Sequence, residues 1–314
     1  MQPEQQNQAP ESNLNAPASS IDAGSVQEPT GKRRWLLVAG GILIFLVVSG
    51  AAFLGWLWVD KTAERELYAA VERMMQVEYL TKEVAYSDAT GARMDMTIRT
   101  DYTIAGQPKS AIEYSLIALS DNDKVELRGE QIALDQQRVA ARLSSNTQNS
   151  STADNAWKQI DDQGLATTYD PLGLRNEFNR TVDLVPMGSF SADLRNALMS
   201  TIRSNDIYSV TSVRDESHQG VSYKVYELTT DYRALHKLVT KMNELLNIAE
   251  VGPTLYEVSE SEIWVDQSNN KITKIIEDTQ RTTDSPVVHR EMLLTYPDSV
   301  SITLPDIATS GDKQ

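Results

Sequence analysis

The sequence predicts an α+β fold: a curved, mostly antiparallel sheet covered by helices and preceded by a single transmembrane helix. Three observations carry this prediction. Residues 35–59 hold 25 positions without a charge. Short β-prone stretches divided by turn residues recur between 79 and 143 and again after 254. Two amphipathic helical stretches interrupt the strands, which places helices on one face of a sheet.

The first 34 residues are rich in Gln, Asn, Pro, Ser and Ala. They have too few large apolar groups to offset the entropy of ordering, so a disordered tail is expected. The charge-free run that follows, "WLLVAGGILIFLVVSGAAFLGWLWV", is long enough to cross a bilayer core, which takes a helix of about 20 residues. Trp35 marks one interface, and Trp56 and Trp58 the other. Lys32, Arg33 and Arg34 crowd the N-terminal flank, while Asp60, Lys61, Glu64 and Arg65 cancel on the far side. The expected topology is therefore a single-pass cell-membrane anchor with a cytoplasmic N-terminus and an extracytoplasmic domain at 60–314.

The outer segment carries 40 acidic and 26 basic residues. A surface this acidic repels nucleic acid and anionic headgroups, and no basic stripe is visible in the sequence to relieve it. The chain has no cysteine, so neither disulfides nor a lipidated Cys are available.

From 61 to 78 the stripe Leu67, Val71, Met74, Met75 predicts a helix. Five β-prone stretches then form an expected meander: 81–88, 92–104, 110–120, 124–135 and 137–143. "WKQI" resumes the sheet. Ser191 caps a helix over 192–204. A hairpin follows across His218-Gln219-Gly220. Asp231 caps the clearest helix, 231–249, whose apolar face is Leu235, Leu238, Val239, Met242, Leu245, Leu246 and Ala249, with Gly252-Pro253 as the stop. Strands resume at 254–266, 271–282, 287–298 and 300–305.

Chemistry is sparse. His218, His236 and His289 lack metal-ligand spacing, and the acidic turn at 120–123 lacks the EF-hand arrangement. Ser268-x-x-Lys271 falls on a hairpin turn rather than a helix start. Glu260 and Glu262 share one face of a strand, with nothing further to suggest glycosidase chemistry. No cofactor motif is present and no enzyme is expected.

The helix at 231–249 needs an apolar surface to cover. Core packing is the plain reading. The sharper one leaves a space under the helix that holds a lipid or acyl chain. Leu238, Val239, Met242, Leu245 and Leu246 would line it from the helix, and Tyr223, Val225, Ile263, Val265 and Ile275 from the sheet.

Residues 208–305 hold a hairpin with Gly220, Tyr223, Tyr226 and Leu228, then an amphipathic helix. Ile263-Trp264-Val265-Asp266 follows before a polar turn, then Lys271, Ile272 and Ile275, and a terminal stretch ending at Pro305. In this pattern they resemble the LolA/LppX-like class of bacterial lipoprotein-localisation and lipid-carrier domains. The resemblance implies an incomplete β-barrel lidded by helices and the carriage of lipid or acylated protein. The chain departs from the class in lacking a lipidated cysteine and in being tethered, which favours a membrane-held acceptor, presenter or sensor. The rival expectation is a structural or sensory ectodomain with a filled core. Oligomeric state is left open.

Overall fold

The computed structural model describes residues 62–120, 123–134, 138–147, 155–160, 169–170, 172, 174, 182–248, 258–282 and 284–305. All fall within one compact unit, Leu57–Gln314. The expected tail and membrane span, residues 1–34 and 35–59, lie outside the described residues. Among the described residues no helix is long and apolar enough to cross a membrane.

Helix α1 covers 62–74. Leu67, Ala70, Val71 and Met74, at spacings of three and four, are fully buried along one side of it. A meander follows: β1 (Tyr79–Asp88), β2 (Arg93–Asp101), β3 (Lys109–Ser120), β4 (Asp123–Ala133), β5 (Val139–Asn146) and the two-residue β6 (Lys158–Gln159). After α2 (Ala192–Ser204) come β7 (Tyr208–His218), β8 (Val221–Thr230), α3 (Tyr232–Leu246), β9 (Val258–Asp266), β10 (Lys271–Gln280) and β11 (Val288–Thr295).

Among the described residues the eleven strands form one sheet in the order β6-β5-β4-β3-β2-β1-β11-β10-β9-β8-β7. Every pairing is antiparallel. Two meanders thus run outward from a central seam where β1 pairs β11, from Thr81 opposite Thr295 to Asp88 opposite Val288. The sheet is not closed: β6 and β7 stand at its two ends.

Local chemistry explains the turns and caps. Gln219 and Gly220 both have positive φ, 51° and 82°, as a two-residue hairpin of type I′ requires. Asp266 holds the β9–β10 turn: one carboxylate oxygen accepts from the Ser268 backbone N–H at 2.8 Å and the other from the Asn269 amide at 2.7 Å. Ser191 caps α2 through the Leu194 N–H, 3.4 Å away. Asp231 caps α3 through the N–H groups of Arg233 and Ala234, at 2.8 and 3.1 Å.

Two expectations are corrected. Helix α3 ends before 249, because Asn247 turns into the left-handed region at φ 52° and stops the helix ahead of Gly252-Pro253. Residues 300–305 form no strand. The last strand, β11, has both of its edges occupied, by β10 and β1, so it offers nothing to pair with.

Candidate functional site

Cross-strand partners share a face of the sheet, so the register can be read as rows of side chains. One inward row is apolar across nine strands: Tyr226, Ile263, Ile275, Met292, Val84, Met96, Tyr114, Gly129 and Leu143. The helices cover this face. Glu66 of α1 accepts from Lys224 Nζ at 2.7 Å on β8, and Tyr296 donates to Met74 Sδ at 3.0 Å. Residues 182–190 add a strap. Met74 and Met75 carbonyls accept from the N–H groups of Gly188 and Phe190, each at 3.0 Å.

Helix α3 lies over this face with Leu235, Leu238, Val239 and Met242 buried in the shared core. Burial of such side chains contributes about 1.5–3 kcal/mol each. At its start, Tyr232 donates to Glu277 Oε1 of β10 at 2.8 Å. At its end, it meets the β2–β3 turn. A Cβ built on Gly106 would lie 3.5 Å from Leu246 Cβ and 3.3 Å from Ile248 Cγ2. Helix α3 therefore reaches from one meander to the other.

The interior has an unusual filling. Seven of the chain's nine methionines, Met74, Met75, Met96, Met187, Met199, Met242 and Met292, are at most 4 % exposed. They come from α1 and the residue after it, β2, the strap, α2, α3 and β11. Thioether chains are unbranched and polarisable, so they refill irregular space more readily than Leu or Ile.

A charged network is also enclosed. Arg290 of β11 is paired with Asp183 of the strap at 2.5 Å and with Glu277 at 2.9 Å, and Lys82 lies 3.8 Å from Asp183. Burial alone would lower the Arg290 guanidinium. Asp183 and Glu277 outweigh it and hold the group well above its ordinary value. Two cations thus face two carboxylates, and the Tyr232 phenol ties α3 to them. Burial, then the Glu277 charge, raises that phenol, so it stays a donor at neutral pH.

The predicted lining residues divide into three groups. Leu238, Val239, Met242, Ile263, Val265 and Ile275 come together in the core, with Leu246 packed at its border. Leu245 does not join them; it is 43 % exposed. Tyr223 and Val225 point the other way, because they pair with Asp266 and Trp264 on the outward face of the sheet. Tyr223 stacks edge-on to Trp264 with centroids 5.8 Å apart. The inward residues of β8 are Lys224, Tyr226 and Leu228. Strand β8 carries apolar residues in both phases of its alternation, so composition alone could not fix which phase faces in. Spacing gave no sign of the charged network, whose members stand 107 and 13 positions apart along the chain.

The described residues also border four clefts of about 580, 490, 370 and 330 Å³. The largest is lined chiefly by outward residues of β11 and β1–β5, among them Glu83, Asp95, Glu113, Glu130, Glu291 and Leu293. None of these four lies between α3 and the sheet. Among the described residues no group of three His, Asp or Glu side chains is placed to hold a metal ion.

No family model matches the chain, and no curated protein matches it. Solved structures do. LprF from Mycobacterium bovis is similar at TM-score 0.42 and 8 % identity, over 78 % of this chain and 97 % of that one. The LolA superfamily protein NE2245 from Nitrosomonas europaea is similar at TM-score 0.22 and 11 % identity, over 77 % and 94 %. MucB, solved in complex with MucA(peri), is similar at TM-score 0.13 and 7 % identity, over 74 % and 94 %.

Proposed function

We propose that the chain is a membrane-anchored extracytoplasmic binding module that holds a lipid, or the acyl group of a lipoprotein, between α3 and the open sheet. The observation that carries this reading is the methionine-rich interior shared by the sheet, the strap and the covering helices, of which α3 spans both meanders. Such an interior adapts to a flexible hydrocarbon chain as α3 lifts. Anchoring by residues 35–59, with the domain outside the cell membrane, is part of the proposal and rests on their charge-free length and on the basic flank. No catalytic role is assigned to any residue.

The test locks the lid. The Gly106 and Leu246 positions bring Cβ atoms to 3.5 Å, within disulfide range, and the chain has no cysteine to compete; Gly106 has φ 74°, which strains a Cys there, so the reduced variant must first melt as the parent does. The full chain carrying G106C and L246C is given a fluorescent fatty acid. Uptake when reduced and its loss when oxidised are expected. Uptake unchanged by oxidation removes α3 as the lid. No uptake in either state, with no lipid on native mass spectrometry of the wild-type chain, removes carriage altogether.

That last result would leave the rival reading, an ectodomain with a filled core acting through protein contacts. The observation in its favour is the completeness of burial: Leu235, Leu238, Val239 and Met242 are at most 2 % exposed.

A further inference from the structure

The acidic composition of the outer segment suggested that nothing on it could approach an anionic surface. Helix α3 departs from that. Arg233, Lys237, Lys241 and Leu245 follow one another at intervals of four along it, so they form a single ridge. Arg233 and Lys237 are exposed and Lys241 half-buried. The ridge ends in Leu245, one of the few large apolar side chains exposed to solvent among the described residues. Beside it, between α2 and α3, a cleft of about 330 Å³ is lined by Thr201, His236, Lys237, Thr240, Lys241 and Glu244. Within α3 three cations face one carboxylate, Glu244, which pairs with Lys241 at 3.0 Å. Among the described residues Lys237 Nζ reaches only the Asn205 side-chain oxygen, at 3.5 Å.

We propose that this ridge is a docking surface for the anionic headgroups of a phospholipid bilayer, with Arg233, Lys237 and Lys241 against phosphates and Leu245 entering the acyl boundary. The occupant follows from charge. A domain with 40 acids and 26 bases is repelled by an anionic membrane on most of its faces. Approach is favoured only where cations project and an apolar side chain stands ready beside them. Basic residues near such a surface contribute about 1 kcal/mol each and lose that contribution with rising salt. An acidic protein partner would also be drawn to the cations, but it would give Leu245 no hydrocarbon to enter.

The inference rests on the anchor in the proposed function and not on the cargo, so a chain that carries no lipid could still dock this way. It gives Leu245 a use that the interior does not. It also sets the face of α3 opposite its buried stripe against the bilayer from which an acyl chain would come.

The test uses the full chain with one nitroxide at L245C, which labels cleanly because no native cysteine exists. It is reconstituted in nanodiscs of phosphatidylcholine alone or mixed with phosphatidylglycerol, and the label's access to oxygen and to a water-soluble nickel chelate is measured. In the mixed discs oxygen access should rise and nickel access fall. Neither should change in phosphatidylcholine alone, or for a control label at S115C on the outward face of β3. K237Q with K241Q should lower affinity for added mixed vesicles about 30-fold, at about 1 kcal/mol per cation removed. Both positions lie on the solvent side of α3, so folding is not at stake. Equal accessibility in the two disc types, or a double variant that binds as the parent does, overturns the docking surface. A chain that fails to enter discs refutes the anchor instead, and binding to added vesicles then decides docking by itself.

Discussion

Arg290 shows how much one side chain holds. It touches Asp183 of the strap and Glu277 of β10, and Glu277 in turn accepts from Tyr232 at the head of α3. Removing the cation leaves buried Glu277 without its ion-pair partner and Asp183 with Lys82 alone. Arg290→Ala should therefore cost about 3–5 kcal/mol in urea unfolding, whereas Tyr232→Phe, which deletes one bond to a charged group, should cost about 1.5–3. If Arg290→Ala unfolds at the parent's midpoint, the network is not what joins strap, sheet and helix. Gly129 makes a second case. A Cβ there would stand 2.5 Å from Tyr114 Oη and 2.7 Å from the Arg142 carbonyl. Gly129→Ala must push the phenol or the backbone of β5 aside, and a loss of about 1–3 kcal/mol is expected. Neither role was legible in the sequence. Arg290 sits among Val, His, Glu and Met in an ordinary-looking strand, and its partner Asp183 is more than a hundred residues away. Gly129, inside a β-prone run, carried no sign of the ring that crosses it.

At the scale of elements, sequence was a better guide. Helix α2 was legible to the residue from its Ser191 cap and its apolar spacing, and β1–β5 from their turns. What stayed hidden was phase and partnership. Strand β8 offers Val221, Tyr223 and Val225 in one phase and Tyr226 and Leu228 in the other, and the structure turns the second set inward. Helix α3 was found, but its end was placed too late, because Asn247 looks like any polar residue until its φ is known. The length of helix that actually packs separates two similar leucines. Leu238→Ala should destabilise by about 2–5 kcal/mol. Leu245→Ala, at the exposed end, should stay within about 0.5 kcal/mol of the parent. Thermal melts of the two variants decide it; equal losses would mean that Leu245 is covered in solution.

The whole molecule has a pH dependence built from its tyrosines. Burial raises the phenols of Tyr114, Tyr208, Tyr226, Tyr232 and Tyr296 above their ordinary value. The folded state thus keeps protons that the unfolded chain releases. The associated stability is complete below the unfolded value of about 10 and is lost as pH rises beyond it. Melting temperature should hold through neutrality and fall above about pH 10, with tyrosinate absorbance from these rings appearing only as the protein unfolds. A midpoint flat to higher pH would contradict it. The seam between β1 and β11 has a further consequence, one of timing. The strand made earliest waits for the one made last, so during synthesis the sheet would stand as two half-fans with their inner borders bare. Each border offers unsatisfied amides to any neighbour until the final strand slots in. Escorting chaperones and housekeeping proteases would meet this molecule in that interval, rather than after its two halves have zipped together.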